Sequence, residues 1–205
     1  MPDDQLFHMR VMFCKRGRAA MLSHLEVARA LERMVRRAGL PYAISQGFSP
    51  HMKISFGSAL PVGVGGLHEC FDIVLTRYVK PEEAAADMRD ACVPDLLVAS
   101  CDYIAANEPA ASAAFPYSTY EAYFKNIPET YSVPEEVRVM RKKKERVLHV
   151  ADFLVDGPKM EGHTMTFTLE SKPTGSLRPD VLLSAMMIDD PDAKVLTITR
   201  VAQSI

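Results

Sequence analysis

The chain has 205 residues, 48% of them apolar and 24% charged. That is the composition of an ordinary soluble globular protein, long enough for one large domain or two small ones with real cores. A formal net charge of −2 argues neither for nor against a nucleic-acid partner, and no apolar run is long enough to span a membrane. In chain order, "RVMFC" continues a strand begun near Leu6, with Phe7, Met9, Val11 and Phe13 on one face. "SHLE" is a capping box, Ser23 with Glu26, opening a helix whose Val27, Leu31, Met34 and Ala38 share one face. Gly39 and Pro41 stop that helix. "KISFGSAL" and "ECFDIVLTRYV" read as strands joined by the Gly-rich connection "PVGVGGL". Pro81 opens the helix "PEEAAADMRDAC", and "LLVASCDYIA" is a further strand. The order is β-α-β-β-α-β, the ferredoxin-like plan.

Residues 106–117, "ANEPAASAAFPY", read as a small-residue and proline linker. The same order then returns. "STYEAYFKNI" alternates like a strand, and "SVPEEVRVMRKK" starts with what reads as a second capping box, Ser132 with Glu135. "RVLHVADFLV" and "HTMTFTLES" flank a turn at "DGPKMEG". "RPDVLLSAMM" is a helix with Pro179 in its first turn, and "KVLTITRVAQSI" is the last strand. The expected fold class is therefore α+β, with two tandem ferredoxin-like (βαββαβ) domains, each with an antiparallel sheet, over residues 1–105 and 118–205.

Charge is distributed unevenly. From Arg10 to Lys53 there are nine basic residues and only two acids, Glu26 and Glu32. Such a basic end on a near-neutral chain fits an anion such as RNA. The candidate contacts are Lys15, Arg16, Arg18, Ser23, Arg29, Arg33, Arg37, Phe48 and Lys53. His24 stands at a helix start, where backbone N–H groups face an anion and the dipole disfavours imidazolium. The loop "QGFSPHMK" is shaped by Gly47 and Pro50. Phe48 within it reads as a plug into the core, with base stacking as the alternative. If "YAIS" forms the first part of the next strand, the loop is carried toward His24, and His24, His51, Lys15, Arg16 and Lys53 share one site. If that strand begins at Lys53, His51 is remote. The first arrangement is preferred. Were the protein an enzyme, His24, His51 and Lys53 would be its catalytic residues.

Other signals are weaker. "RVMRKKKERV" reads as a solvated basic helix face, with RNA contact as the alternative. "PVGVGG" lacks the Gly-Lys-Ser/Thr of a P-loop. Cys14, Cys70, Cys92 and Cys101 form no CxxC pair, so neither a zinc ribbon nor an iron–sulfur site is expected. No cofactor is expected, and whether a metal binds is open. The start "MPDDQLFHMR" shows no signal peptide, so a cytoplasmic protein is expected.

The motifs Ser23-His24-Leu25-Glu26, Arg36 to Pro41, Gly47 to Lys53, Leu60 to Val64, and Glu69 resemble the radical-SAM-linked domain family, bacterial proteins of unknown function. One departure is Met52, where that family usually carries proline. The resemblance implies a partner, a radical SAM protein with a B12-binding-like region. This chain has no CxxxCxxC and is not itself the radical enzyme. The doubled plan is also similar to the RAMP superfamily of RNA-processing proteins, at the level of fold alone.

Three functions are expected, in order of preference. The first is a non-catalytic accessory module that binds RNA, tRNA or rRNA, or presents substrate to a radical SAM enzyme for modification. The second is a metal-independent endoribonuclease of RAMP type. The third is a metal-dependent or small-molecule enzyme using His24, His51 and Glu69. No membrane partner is expected.

Overall fold

The computed structural model describes residues 6–141 and 144–205. It is a mixed α+β structure with antiparallel sheets, divided into two compact units, Met1–Phe115 and Pro116–Ile205. Among the described residues no helix is long and apolar enough to cross a membrane.

Unit 1 runs β1 (Phe7–Lys15), a 3-10 turn (Gly17–Met21), α1 (His24–Arg37), β2 (Ile54–Phe56), β3 (Val64–Leu75), α2 (Pro81–Ala91), β4 (Leu96–Tyr103) and a short α3 (Ala111–Ala114). The strands lie in the order β4-β1-β3-β2, every pair antiparallel. The period-2 pattern of β1 sends Met9, Val11 and Phe13 into the core, where Phe71, Ile73 and Leu75 of β3 join them. Val27, Leu31 and Met34 of α1 and Ala84, Ala85 and Met88 of α2 cover that same core. The capping box forms as expected: Ser23 Oγ accepts from the Glu26 N–H at 3.4 Å, and Glu26 Oε2 accepts from the Ser23 N–H at 2.8 Å.

Two local expectations for unit 1 are corrected. Half of the Gly-rich connection belongs to β3, which starts at Val64, and Gly66 pairs with Lys15. The stretch 106–117 is not free linker. Its first part is tied to the sheet by a buried ion pair, with Arg10 Nε and Nη2 donating to Asp72 Oδ1 and Oδ2 at 2.8 and 3.0 Å. Arg10 Nη2 also donates to the Pro109 carbonyl at 2.7 Å, and the Ala111 N–H donates to Asp72 Oδ2 at 2.7 Å. The hydrogen bond to Asp72 raises the Arg10 pKa above its already high ordinary value, against the opposing pull of burial.

Unit 2 runs β5 (Tyr117–Asn126), β6 (Glu136–Arg141), β7 (Lys144–His149), a 3-10 turn (Val150–Asp152), β8 (Leu154–Glu161), β9 (Thr164–Lys172), β10 (Gly175–Ser176), α4 (Pro179–Met186) and β11 (Lys194–Ser204). Its sheet has β5 between β9 and β11, with β8 and β10 both on the other edge of β9. This corrects the expected second βαββαβ repeat. The helix expected over 132–143 does not form over 132–141, and residues 142–143 lie outside the described residues. Residues 136–141 are a strand, paired with β7 in a separate two-stranded ribbon. The reason lies in Val137 and Val139, β-branched and two apart between Glu136, Arg138 and Met140, a strand period that outweighs the Ser-Glu spacing before it. Likewise "DGPKMEG" is not a turn. Asp156 to Glu161 pair with β9 through an irregular register, the bulged geometry in which Pro158 is tolerated at a sheet edge.

Candidate functional site

The core of unit 1 is not apolar to its end. Beyond Phe13 on β1 the next inward position carries Lys15, 2% exposed, and before Phe71 on β3 the inward position carries Glu69, 6% exposed. The two strands place Phe13 opposite Glu69 and Lys15 opposite Gly66, with a bulge between. Glu69 folds back along its own strand. A Cβ on Gly66 would lie 2.3 Å from Glu69 Oε1, so the carboxylate occupies the space that glycine leaves, over the residue facing Lys15. Lys15 Nζ donates to the Val64 carbonyl at 3.2 Å.

These two groups line one cavity of about 360 Å³, counting its open mouth, under the start of α1. His24, first residue of α1, stands at the rim with its ring edge-on to Phe56, the centroids 5.9 Å apart. Val27, Leu31, Leu60 and Phe56 form apolar walls, with Ser58 and Cys70 as further polar lining. A concave, mostly apolar space with a few convergent polar groups is the usual form of a small binding site. Buried ionisable groups at core positions are costly unless they are held or used.

The turn between Lys15 and His24 carries Arg16 and Arg18, both exposed. Asp95 fixes it: its carbonyl accepts from the Arg16 N–H at 2.9 Å and its Oδ2 from the Arg18 N–H at 3.1 Å. Gly17, at φ +51°, leaves the room that Asp95's carboxylate fills. Farther along, Arg29, Arg33 and Arg36 fall within about 60° of one another around α1, a stripe on the solvent face at 100° per residue, and all are exposed. Arg37 is turned to the end of α2, where its Nη2 donates to the Ala91 carbonyl.

Residues 8–179 match a family described as uncharacterized proteins conserved in bacteria, DUF2344. The chain belongs to this family. No curated protein matches it. The family match takes in every residue of the cavity, the arginine turn and α1, and it extends through unit 2 to the first residue of α4.

The remaining candidates do not join Lys15 and His24. Residues 42–45 are not the start of the next strand, which begins at Ile54. Tyr42 bridges Leu75 and Ile44 bridges Met52, closing a small loop over 45–51. His51 hangs in that loop, its N–H donating to Ser45 Oγ at 3.0 Å. The loop leaves the sheet at the Val74 end of β3, whereas His24 meets Phe56, which pairs with Phe71. The strand begins after Lys53, and the cavity that His24 lines does not take in His51. Lys53 is exposed and lies with His8 and Glu108 along a different groove. Phe48 is not a core plug. It is fully exposed at the loop tip, and the buried plug is Met52, four residues on. Ser23 is absorbed in the helix cap. Among the described residues no three His, Cys, Asp or Glu side chains gather as a metal site.

Proposed function

We propose that the protein is a non-catalytic nucleic-acid-binding module that presents RNA to a radical SAM enzyme. The observation that carries this reading is the exposed arginine face of unit 1: Arg16 and Arg18 on a turn braced by Asp95, beside a cavity with buried polar groups. Arginines held in place by main-chain contacts bind phosphates at little ordering cost. On this reading Arg29 and Arg33 extend the phosphate track along α1, and Phe48 is an exposed ring available for stacking on a base. Unit 1 supports a ferredoxin-like plan, with strand order β4-β1-β3-β2 and both long helices on one core. The radical SAM partner, with its B12-binding-like region, is carried by the resemblance of the motifs between Ser23 and Glu69.

The test is fluorescence anisotropy of the full chain with labelled tRNA over a salt series. Binding falls steeply with salt, and Arg16→Ala with Arg18→Ala lowers the slope of log K against log[salt] by about 1.5–2. Absence of binding at low salt, or an unchanged slope, overturns the reading.

One observation favours a second reading. Lys15, Glu69 and His24 converge on a cavity with apolar walls, which is more than a phosphate track needs. On that reading unit 1 is an enzyme for a small anionic molecule, with His24 moving a proton and Lys15 facing the negative charge. His24→Ala then abolishes turnover and leaves tRNA binding intact. An endoribonuclease that sets His24 and His51 across one phosphate lacks this support, because the cavity that His24 lines does not take in His51.

A further inference from the structure

The sheet of unit 1 has a second face, turned away from α1 and α2. Period-2 alternation places His8 and Arg10 of β1 there, with Asp72 and Val74 of β3, because their neighbours Met9, Val11, Phe71 and Ile73 point into the core. The chain after β4 builds a wall over this face. The Ile104 N–H donates to the His8 carbonyl at 2.9 Å, and the chain then turns, the Glu108 N–H donating to the Ala105 carbonyl at 3.0 Å. Pro109 and Ala111 follow, tied to Arg10 and Asp72. Between wall and sheet lies a groove of about 730 Å³, counting its open side, about twice the cavity under α1 on the same measure. That is within the range of small-molecule sites. All of its lining belongs to unit 1.

The groove is aliphatic with charge at its borders. Val74 lies on its floor, and Ile104 and Ala105 stand in its wall. The Asp72 carboxylate is already engaged by Arg10 and the Ala111 N–H. The remaining charges are those of Lys53 and Glu108, both exposed. Lys53 makes no ion pair among the described residues, and Glu108 acts on Arg10 through space, more weakly than Asp72 does. The two come from different borders. Lys53 precedes β2, its carbonyl accepting from the Val74 N–H at 3.0 Å, whereas Glu108 belongs to the wall that rises from β4. The half-buried His8 ring and the Ser55 hydroxyl also line the groove, and neither has a hydrogen-bond partner among the described residues. A lone anion here meets the charge of Glu108, and a lone cation meets that of Lys53. A ligand carrying both charges on an aliphatic body satisfies both.

We propose that this groove binds a small aliphatic zwitterion, an amino acid or a short peptide with free ends, its carboxylate at Lys53 and its ammonium at Glu108. The site shares no residue with the arginine face or with the cavity under α1, so it stands or falls apart from both readings of function.

The experiment titrates the full chain with leucine and with the dipeptide Ala-Leu, each in free, N-acetylated and C-amidated form, by isothermal calorimetry, with backbone amide shifts followed by NMR. A free-ended ligand binds with Kd below about 1 mM. Blocking either end weakens binding about three- to tenfold, the effect of one partly exposed ion pair. The amides of Val74 and Ile104 shift. Lys53→Gln weakens the free ligand by the same factor and no longer distinguishes it from the C-amide; Glu108→Gln does the same for the N-acetyl form. Tighter binding of leucine assigns the groove to free amino acids, and tighter binding of Ala-Leu assigns it to peptides; either upholds the site. A Kd above about 1 mM for both ligands overturns the proposal. So do blocked forms that bind as well as free ones, shifts confined to residues outside the groove, or variants that discriminate as the parent does. Both substituted positions are exposed, and circular dichroism of each variant checks that the fold is kept.

Discussion

Removing the Asp72 carboxylate isolates the ion pair that ties residues 109–111 to the sheet of unit 1. Asp72→Ala leaves the Arg10 guanidinium with its Pro109 carbonyl bond and the face of Phe115, 5.5 Å from the ring centroid, but with only the weaker influence of Glu108 as counter-charge. The two side chains are 10% and 11% exposed, so water restores little of the lost solvation. Stripping one partner from such a pair costs about 3–5 kcal/mol. The residual contacts of Arg10 place the expected loss at the lower end, about 3 kcal/mol, which is a fall of about 6–12 °C in Tm for a chain of this size. Thermal unfolding followed by circular dichroism measures the total. Hydrogen exchange locates it: the Ala111 amide, which loses its 2.7 Å acceptor, exchanges faster, while Met9 and Val11 in β1 keep their protection. Arg10→Met combined with Asp72→Leu removes both charges and recovers most of the loss. A Tm change under about 3 °C in Asp72→Ala refutes the reasoning, as does a double variant no more stable than the single one.

Three further outcomes rest on named contacts. Ser23 holds the Glu26 carboxyl below the usual carboxylate range, first through its hydroxyl and then through its N–H; the folded value lies below the unfolded one, so this contribution is complete at neutral pH and is lost as pH falls through the folded value. NMR titration of Ser23→Ala shows the Glu26 carboxyl returned toward its ordinary range, and removal of the cap itself costs about 1 kcal/mol. Burial pushes the Cys101 thiol up to about 12, so native protein treated with iodoacetamide at about pH 8 keeps Cys101 unmodified by mass spectrometry; alkylation there before unfolding contradicts the packing. Gly66→Ala drives its Cβ into Glu69 Oε1 and destabilises unit 1 by about 1–3 kcal/mol, and adding Glu69→Ala relieves the clash, a coupling read from the double-mutant cycle in urea.

Much of unit 1 is legible in the sequence because local signals agree with the tertiary structure. Alternation in β1, the Ser23–Glu26 box and Pro81 at the start of α2 each mark an element that forms where they stand. The ribbon is not, because Ser132 and Glu135 imitate a helix cap, while only two valines precede the run of lysines to oppose that reading. The cavity is half legible. Lys15 reads as a surface cation, yet it continues the inward parity of Met9, Val11 and Phe13, just as Glu69 precedes Phe71, Ile73 and Leu75 on the inward parity of β3. Strict period-2 reading finds both charges at core positions. What it cannot find is the pairing of those strands, which brings the two charges to the same end. The exchange of Phe48 for Met52 as the plug has the same origin: loop geometry decides which apolar side chain reaches the core.

The turn carrying Arg16 and Arg18 takes its hydrogen bonds from Asp95, itself in a left-handed conformation at φ +72° and 77 residues from Arg18. Its shape is therefore an outcome of late assembly. Helix α1 forms from near neighbours, but the arginine turn closes only once the chain up to β4 has been made and docked. During synthesis every arginine of this face emerges well before the clasp that arranges them. A nascent chain stopped short of residue 95 would carry the full charge of the binding face without its geometry, so selective recognition by this face becomes available only to a finished unit.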